Sequence, residues 1–237
     1  DVISTRLKSK FGVEARLSEP RIAYRETIRK KVKVQGRHKK QTGGHGQYGD
    51  VWIVFEPGAE EGLEFAEEVF GGAVPKNYFP AVEKGLQEAI VEGVLAGYPV
   101  VNLKATLVDG SYHEVDSNEL SFKLAARLAY RAGLPQADPV LLEPIDKLSV
   151  HIPDDFLGDI MGDLNKRRGR ILGIHPDTIP GYQIVEAEAP RAEIAKYATD
   201  LKSMTQGRGW FLIEFVRYEQ VPQNIADKIV AAAQKED

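Results

Sequence analysis

The sequence predicts an α+β fold built in two successive parts, and three observations carry that expectation. From Leu148 onward, apolar residues recur with a period of two, then of about 3.6, in the order strand, helix, strand, strand, helix, strand. That is the βαββαβ order of a split-βαβ, ferredoxin-like unit. Upstream, from Ile28 to Leu128, strand-like runs mix with two helical stretches in a different order. Between these parts the chain is punctuated by Pro135, Pro139 and Pro144, which places a boundary near Pro144.

The elements follow in order. Ile3, Leu7 and Phe11 repeat at helical spacing and Gly12 ends that helix. Val13 to Leu17 alternate as a strand does. Ile28 to Val34 alternates apolar with basic residues and predicts a half-exposed strand. Gln41 to Gly49 is a glycine-rich loop, followed by strands at Val51–Phe55 and Leu63–Phe70. Phe79, Val82, Leu86, Ile90 and Val94 mark a helix closed by Gly97 and Pro99. Val100 to Val108 predicts a strand, and Asp109-Gly110 a turn. Asp116 and Glu119 have the spacing of a capping box. The helix it opens would run along Leu120, Leu124 and Leu128 until Leu134-Pro135 and Asp138-Pro139 break it.

In the second part, strands are expected at Leu148–Ile152, Ile171–Ile174, Tyr182–Ala187 and Trp210–Val216. The helices between them are marked by Phe156, Leu157, Ile160, Met161 and Leu164, and by Ile194, Tyr197, Leu201 and Met204. Ile225, Ile229 and Ala233 give a last helix after Pro222.

Composition sets limits on chemistry. The 237 residues are 43% hydrophobic and 28% charged, ordinary values for a globular protein. No run of 18 or more apolar residues occurs, so no membrane-spanning helix is expected. The absence of cysteine excludes disulfides, thiol catalysis and Cys-based zinc sites, and fits a reducing cytoplasm. The chain opens on Asp1 with no signal-like pattern and reads as a piece of something longer.

Charge is sorted into blocks. The net charge is −4, yet no acid lies between Thr27 and Gly49, a window holding Arg29, Lys30, Lys31, Lys33, Arg37, Lys39 and Lys40. Acids gather next door, at Glu56, Glu60, Glu61, Glu64, Glu67 and Glu68. A second basic knot is Lys166, Arg167, Arg168 and Arg170. Each block is either solvated surface or a phosphate-contacting patch.

Few motifs suggest catalysis. Gly44, Gly46 and Gly49 match G-x-G-x-x-G, but a strand follows where a dinucleotide site needs a helix N-terminus. The glycines instead suit a loop whose backbone turns tightly or approaches a partner closely. No G-x-x-x-x-G-K-[ST] occurs. The five histidines lack metalloprotease spacing, and no metal site or catalytic set is expected. His113 follows the expected turn, as a plain surface histidine or as a loop-tip ligand for a base or phosphate. Tyr48 and Trp52 either stack on bases or fill a core.

Several long motifs strongly resemble elongation factor G. They are Gly43-Gly44-His45-Gly46-Gln47-Tyr48-Gly49, Leu95-Ala96-Gly97-Tyr98-Pro99-Val100-Val101 and Asp109-Gly110-Ser111-Tyr112-His113-Glu114-Val115-Asp116-Ser117. Pro139-Val140-Leu141-Leu142-Glu143-Pro144, Gly162-Asp163-Leu164-Asn165 with Arg167-Arg168-Gly169-Arg170, and Tyr197-Ala198-Thr199-Asp200-Leu201 continue the likeness, in order, to about Val221. The resemblance implies the end of the family's third domain over residues 1–24. It implies a fourth domain with a left-handed βαβ crossover over 25–145, and a ferredoxin-like fifth domain over 146–221. A C-terminal helix over 222–237 would pack back on the fourth domain.

The resemblance also implies a function. A translational GTPase of this family couples GTP hydrolysis, in an amino-terminal domain with Mg, to movement of transfer and messenger RNA on the ribosome. This fragment would itself be no enzyme and hold no cofactor. It would act as a cytoplasmic monomer. Its tip would enter the small-subunit decoding site through Gln41, Gly43, Gly44, His45, Gly46 and Gln47 and through Ser111, Tyr112, His113, Asp116 and Ser117. Lys166, Arg167, Arg168 and Arg170 would face large-subunit RNA near the factor-binding region.

Two departures point to a divergent second copy. His45 stands where the family usually has arginine, and an exposed histidine is mostly neutral at pH 7. Ala192-Glu193-Ile194-Ala195-Lys196 differs from the usual Glu-Met-Phe-Gly run. Ribosome recycling or ribosomal protection is therefore an alternative task. A stand-alone RNA-binding module using the strip from Arg29 to Lys40 is another.

Overall fold

The computed structural model of the protein describes residues 2–15 and 21–235. Two compact units form. One comprises Tyr24–Glu143 with Glu219–Asp237, the other Asp1–Ala23 with Pro144–Tyr218.

The first unit is built on a four-stranded sheet. Its strands are β2 (Val32–Lys40), β3 (Gln47–Pro57), β4 (Leu63–Glu67) and β5 (Leu103–Ser111), in the order β2-β3-β5-β4. Strands β2/β3 and β3/β5 are antiparallel. The β4/β5 pair is parallel, which demands a crossover, and that crossover carries helix α2 (Phe79–Ala89). A second helix, α3 (Glu119–Gly133), follows β5. Both helices cover one face of the sheet. Val51, Ile53, Phe55, Ala105 and Leu107 from the strands meet Val82, Leu86, Phe122, Ala125 and Ala129 from the helices, all fully buried.

Contact between α3 and the sheet is unusually close. A Cβ on Gly36 would collide with the Ala125 carbonyl, and one on Gly49 with the Ser121 carbonyl. Small residues on both sides let backbone approach backbone. This corrects the expected leucine face: Leu120 and Leu128 are 50% and 41% exposed, while the alanine side is buried. Hydrophobicity alone ranked leucine first, but only alanine and glycine fit the short separation.

Three other expectations are corrected here. Asp109-Gly110 makes no turn; both residues continue β5, opposite Trp52 and Val51, after a bulge at Trp52/Ile53. Asp116 and Glu119 form no capping box. Asn118 is the N-cap, its side chain accepting from the Ser121 amide at 2.8 Å. Strand β5 begins at Leu103 rather than Val100, and β4 stops at Glu67.

A smaller core closes the other end of this unit. Strand β1 (Arg25–Ile28) pairs antiparallel with Pro139–Leu142, the start of strand β6 (Pro139–Pro153). The C-terminal helix (Gln223–Ala233) contributes Ala226, Ile225 and Ile229 to a cluster with Leu141, Val221, Leu95 and Tyr98. Glu26 is 1% exposed and organises the loop beside it. Its carboxylate accepts from the amides of Leu95, Ala96 and Tyr98 at 2.7, 3.0 and 2.9 Å. Burial pushes its pKa up, and the three amide bonds oppose that shift.

The second unit continues β6 from Ile145 and adds α4 (Leu157–Lys166), β7 (Arg170–Pro176), β8 (Tyr182–Pro190), α5 (Tyr197–Met204) and β9 (Trp210–Gln220). The strand order β9-β6-β8-β7 with this element order is the ferredoxin-like arrangement. Leu148, Val150, Ile152, Ile160, Leu164, Val185 and Leu201 fill its core. The C-terminal helix is α6 in chain order. At the amino terminus, α1 (Val2–Phe11) forms but buries none of its residues. The strand expected over Val13–Leu17 is absent at Val13–Ala15, and Arg16 and Leu17 lie outside the described residues.

Replacing Glu26 with alanine strips three half-buried amides of their acceptor. At roughly 1 kcal/mol or more for each orphaned donor, the first unit should lose about 3 kcal/mol. Urea unfolding followed by Trp52 fluorescence, in a Trp210→Phe background, measures this loss.

Candidate nucleic-acid interface

The sheet register brings two loops together at one end of the first unit. Lys40 faces Gln47 across the β2/β3 hairpin, so residues 41–46 form its end loop. Asp50 faces Ser111, so the segment from β5 to α3 leaves the sheet beside that loop. The two sequence-predicted tip segments are therefore neighbours in space, although about seventy positions separate Gly46 from Asp116.

Asp116 and Ser117 clip them together. Gly46 N donates to Asp116 Oδ1 at 3.1 Å and Tyr48 N to the Asp116 carbonyl at 2.9 Å. Ser117 Oγ donates to the Tyr48 carbonyl and accepts from His113 N, both at 2.8 Å. Tyr78 Oη donates to the Ser117 carbonyl at 3.1 Å. The clip explains one glycine: a Cβ on Gly46 would sit 2.8 Å from Asp116 Oδ2. Gly44 is needed for another reason, since its φ of 144° lies where side chains are rarely tolerated.

Below the loops lies a buried polar node that sequence reading missed. Asp50 is 3% exposed. It accepts from Ser111 Oγ at 2.6 Å and Gln35 Nε2 at 2.7 Å, with Arg37 Nη2 at 3.4 Å. Ser111 Oγ also lies 2.6 Å from Tyr48 Oη. A buried carboxylate needs this company, because an unpaired charge there is costly. Its partners come from two other strands, β2 and β5, so no local spacing announces it.

The predicted residues thus divide in two. Gly46, Gln47, Ser111, Asp116 and Ser117 are half-buried scaffold, with Gln47 held by His38 at 2.7 Å. Gln41, Gly43, Gly44, His45, Tyr112 and His113 face solvent. His113 is exposed but not loose. Its Nδ1 accepts from Val115 N and Asp116 N at 3.3 and 3.4 Å, which leaves the ring proton on Nε2 as a donor. Asp116 Oδ2 lies 3.7 Å from Nδ1 and would pair with the ring if it were protonated.

The basic knot in the second unit is differently employed. Arg167 donates to Asp163 at 2.8 Å, Asp200 at 2.5 Å and the Glu193 carbonyl at 2.9 Å, and lies over the Tyr197 ring. Arg168 donates to Glu193 at 3.2 Å. Arg170 donates to Glu188 at 2.6 Å. Lys166 is exposed and makes no ion pair among the described residues. Three of the four cations therefore brace the fold. Glu188 also receives two bonds from Arg217, at 3.1 and 2.7 Å, and these two arginines, Arg217 foremost, hold its pKa down to about 2. Among the described residues no group of three or more His, Asp or Glu could hold a metal, and no helix is long and apolar enough to cross a membrane.

Comparison with known proteins matches both parts. Residues 20–138 match the family model of elongation factor G, domain IV, and residues 140–229 that of the elongation factor G C-terminus. A crystal structure of a protein from Thermus thermophilus is 45% identical, with a TM-score of 0.87. It matches over 100% of this chain and 35% of its own, so this chain spans about a third of that protein's length.

Two outcomes follow from the geometry. Asp116→Ala should speed amide hydrogen exchange at Gly46 about tenfold or more, because a local opening no longer breaks a charge-assisted bond. The β7/β8 amides of the second unit should keep their wild-type rates. For Glu188, the depressed pKa means its contribution is complete above the ordinary value of 4.5 and fades as pH falls toward 2. Acid unfolding of the second unit, read by Trp210 fluorescence, should begin in that window, and Glu188→Gln should flatten the pH dependence there.

Proposed function

The chain belongs to the elongation factor G family of translation factors, and we propose that it is the part that engages the ribosome during GTP-dependent translocation. The observation that carries this reading is the clipped tip. Two loops are locked to each other and to the sheet, yet present Gln41, Gly43, Gly44, His45 and His113 to solvent. Such a surface recognises RNA by shape and backbone, as a factor that must accept every codon requires. The small-subunit decoding site, with its transfer and messenger RNA, is the proposed partner of the tip. Of the predicted basic knot, Lys166 is the proposed contact to large-subunit RNA, since its three neighbours are spent internally.

On this reading the protein works in the cytoplasm as a monomer. GTP and its Mg bind in a domain outside these 237 residues, and this part performs no catalysis of its own. Its task is mechanical: the tip keeps messenger and transfer RNA moving together on the ribosome. A second reading is favoured by one residue. His45 puts an imidazole where the permanent charge of an arginine is usual in the family, which weakens a phosphate contact at the tip. A paralogue acting in recycling or ribosomal protection would tolerate that loss.

Single-turnover translocation by the full-length parent separates these readings. His113→Ala should slow movement about tenfold or more, near 1.4 kcal/mol in the barrier, while ribosome-stimulated GTP hydrolysis stays within about twofold. Equal loss of both activities would sink the tip's role. A wild-type parent that hydrolyses GTP on ribosomes yet never translocates would favour the paralogue.

A further inference from the structure

The acid-free stretch before the tip has a placement that the tip does not use. Val34 and Gly36 point toward α3, so the alternating residues Lys33, Gln35, Arg37 and Lys39 lie on the opposite, open face of the sheet. Lys31 precedes them and continues the line. Residues two apart on a strand repeat every ~6.6 Å, so the cations form a straight row. Strand β2 is an edge strand. Its cations are unequally engaged: Arg37 lies 3.4 Å from buried Asp50, Lys31 lies 3.5 Å from Glu56, and Lys33 sits 5.7 Å from the centre of the Trp52 ring. Lys39 makes no ion pair among the described residues. Trp52 itself is half-buried on this open face rather than in the core.

Sheet order then separates the charges that the sequence places side by side. The acidic run Glu64, Glu67 and Glu68 belongs to β4 and its end, at the other edge of the β2-β3-β5-β4 sheet. Three strand spacings of ~4.8 Å put the two edges about 14 Å apart. That exceeds the ~8 Å screening length of physiological salt. Of the nearby acids, Glu56 and Asp50 stay on β3 beside the row, and two acids against Lys31, Lys33, Arg37 and Lys39 still leave the β2 edge positive in a molecule whose net charge is −4.

We propose that the open face of β2 is a rail for the sugar–phosphate backbone of RNA, distinct from the tip and indifferent to sequence. A straight row of cations complements a polyanion whose charges also repeat along a line, and Trp52 offers an aromatic edge beside it. The rail deepens the ribosome-engaging reading and rests on it. It would guide the module along RNA while the tip makes the specific contact.

The test uses the 237-residue chain and a fluorescein-labelled RNA duplex of arbitrary sequence, with anisotropy read between about 50 and 200 mM salt. The rail variant carries Lys31→Gln, Lys33→Gln and Lys39→Gln; Arg37 is kept because its removal would strip buried Asp50 of a cation. The wild-type chain should bind with a steep salt slope. The variant should lower that slope by about 2 to 3 and weaken low-salt binding about tenfold or more. Glu67→Gln with Glu68→Gln, on the far edge, should leave the slope unchanged.

Four results would overturn the rail. They are no RNA binding by the wild-type chain, an unchanged slope in the rail variant, an equal slope change from the far-edge variant, or polyglutamate competing as well as unlabelled RNA. An unchanged slope with new aggregation would mean that the lysines only guard a sheet edge. The tip fails separately: a normal rail slope beside a parent whose translocation ignores His113→Ala would sink the tip alone.

Discussion

The seating of α3 on the bare backbone of β2 and β3 is the constraint on which the first unit depends. Gly36 and Gly49 remove side chains from the strands, and Ala125, Ala126 and Ala129 keep the helix slim. The helix can then start directly above Gly49, with its Asn118 cap and Ser121 at that point. The segment between Ser111 and Asn118 has both ends pinned, one by strand pairing with Asp50 and one by the helix start. A loop so held can present a histidine in a defined orientation, because fixing its ends leaves few backbone states to lose on binding.

From that constraint follows a division of labour at the tip. Asp116 and Ser117 spend their hydrogen-bonding capacity on the neighbouring loop, and Asp50 anchors both loops from below. Of the predicted tip residues, glycine, glutamine, histidine and Tyr112 remain exposed: backbone that can be approached closely and donors that bear no permanent charge. The permanent cations stand elsewhere, along the open face of β2. On the proposed reading, recognition by fit and attraction by charge would be carried by different surfaces of one sheet. The second unit uses its arginines in another way, with Arg167 joining α4, α5 and the turn before α5, and Arg170 with Arg217 neutralising the shielded Glu188.

Much of this was legible in the residues. The βαββαβ order of the second unit follows from periodicity, since strands and helices with one buried face must repeat at two or about 3.6. The starts of the helix at Phe79 and of the loop at Gln41 were readable, although the helix stops at Ala89, short of Val94, and β3 already begins at Gln47. The misreadings share a cause. Asp109-Gly110 is a good turn pair by local preference, but pairing with Val51 and Trp52 outweighs that preference. Asp116 has capping-box spacing, but a backbone amide seventy positions away claims its carboxylate. The leucines of α3 outrank its alanines in hydrophobicity, but where Gly36 brings the strand against the helix only small residues such as Ala125 and Ala129 fit.

By itself, then, the sequence determined the family, the order and type of most elements, the absence of thiol chemistry and the presence of a glycine-built loop near an unbalanced run of cations. Those are properties of neighbours along the chain. Tertiary structure alone decided which charges meet. It turned three arginines of the second basic knot into braces, hid Asp50 and Glu26 behind donors from distant segments, and moved adjacent acidic and basic runs to opposite edges of a sheet. The physical reason is that a charge's role depends on what lies within a few ångströms of it, and strand pairing sets that distance without regard to separation along the chain.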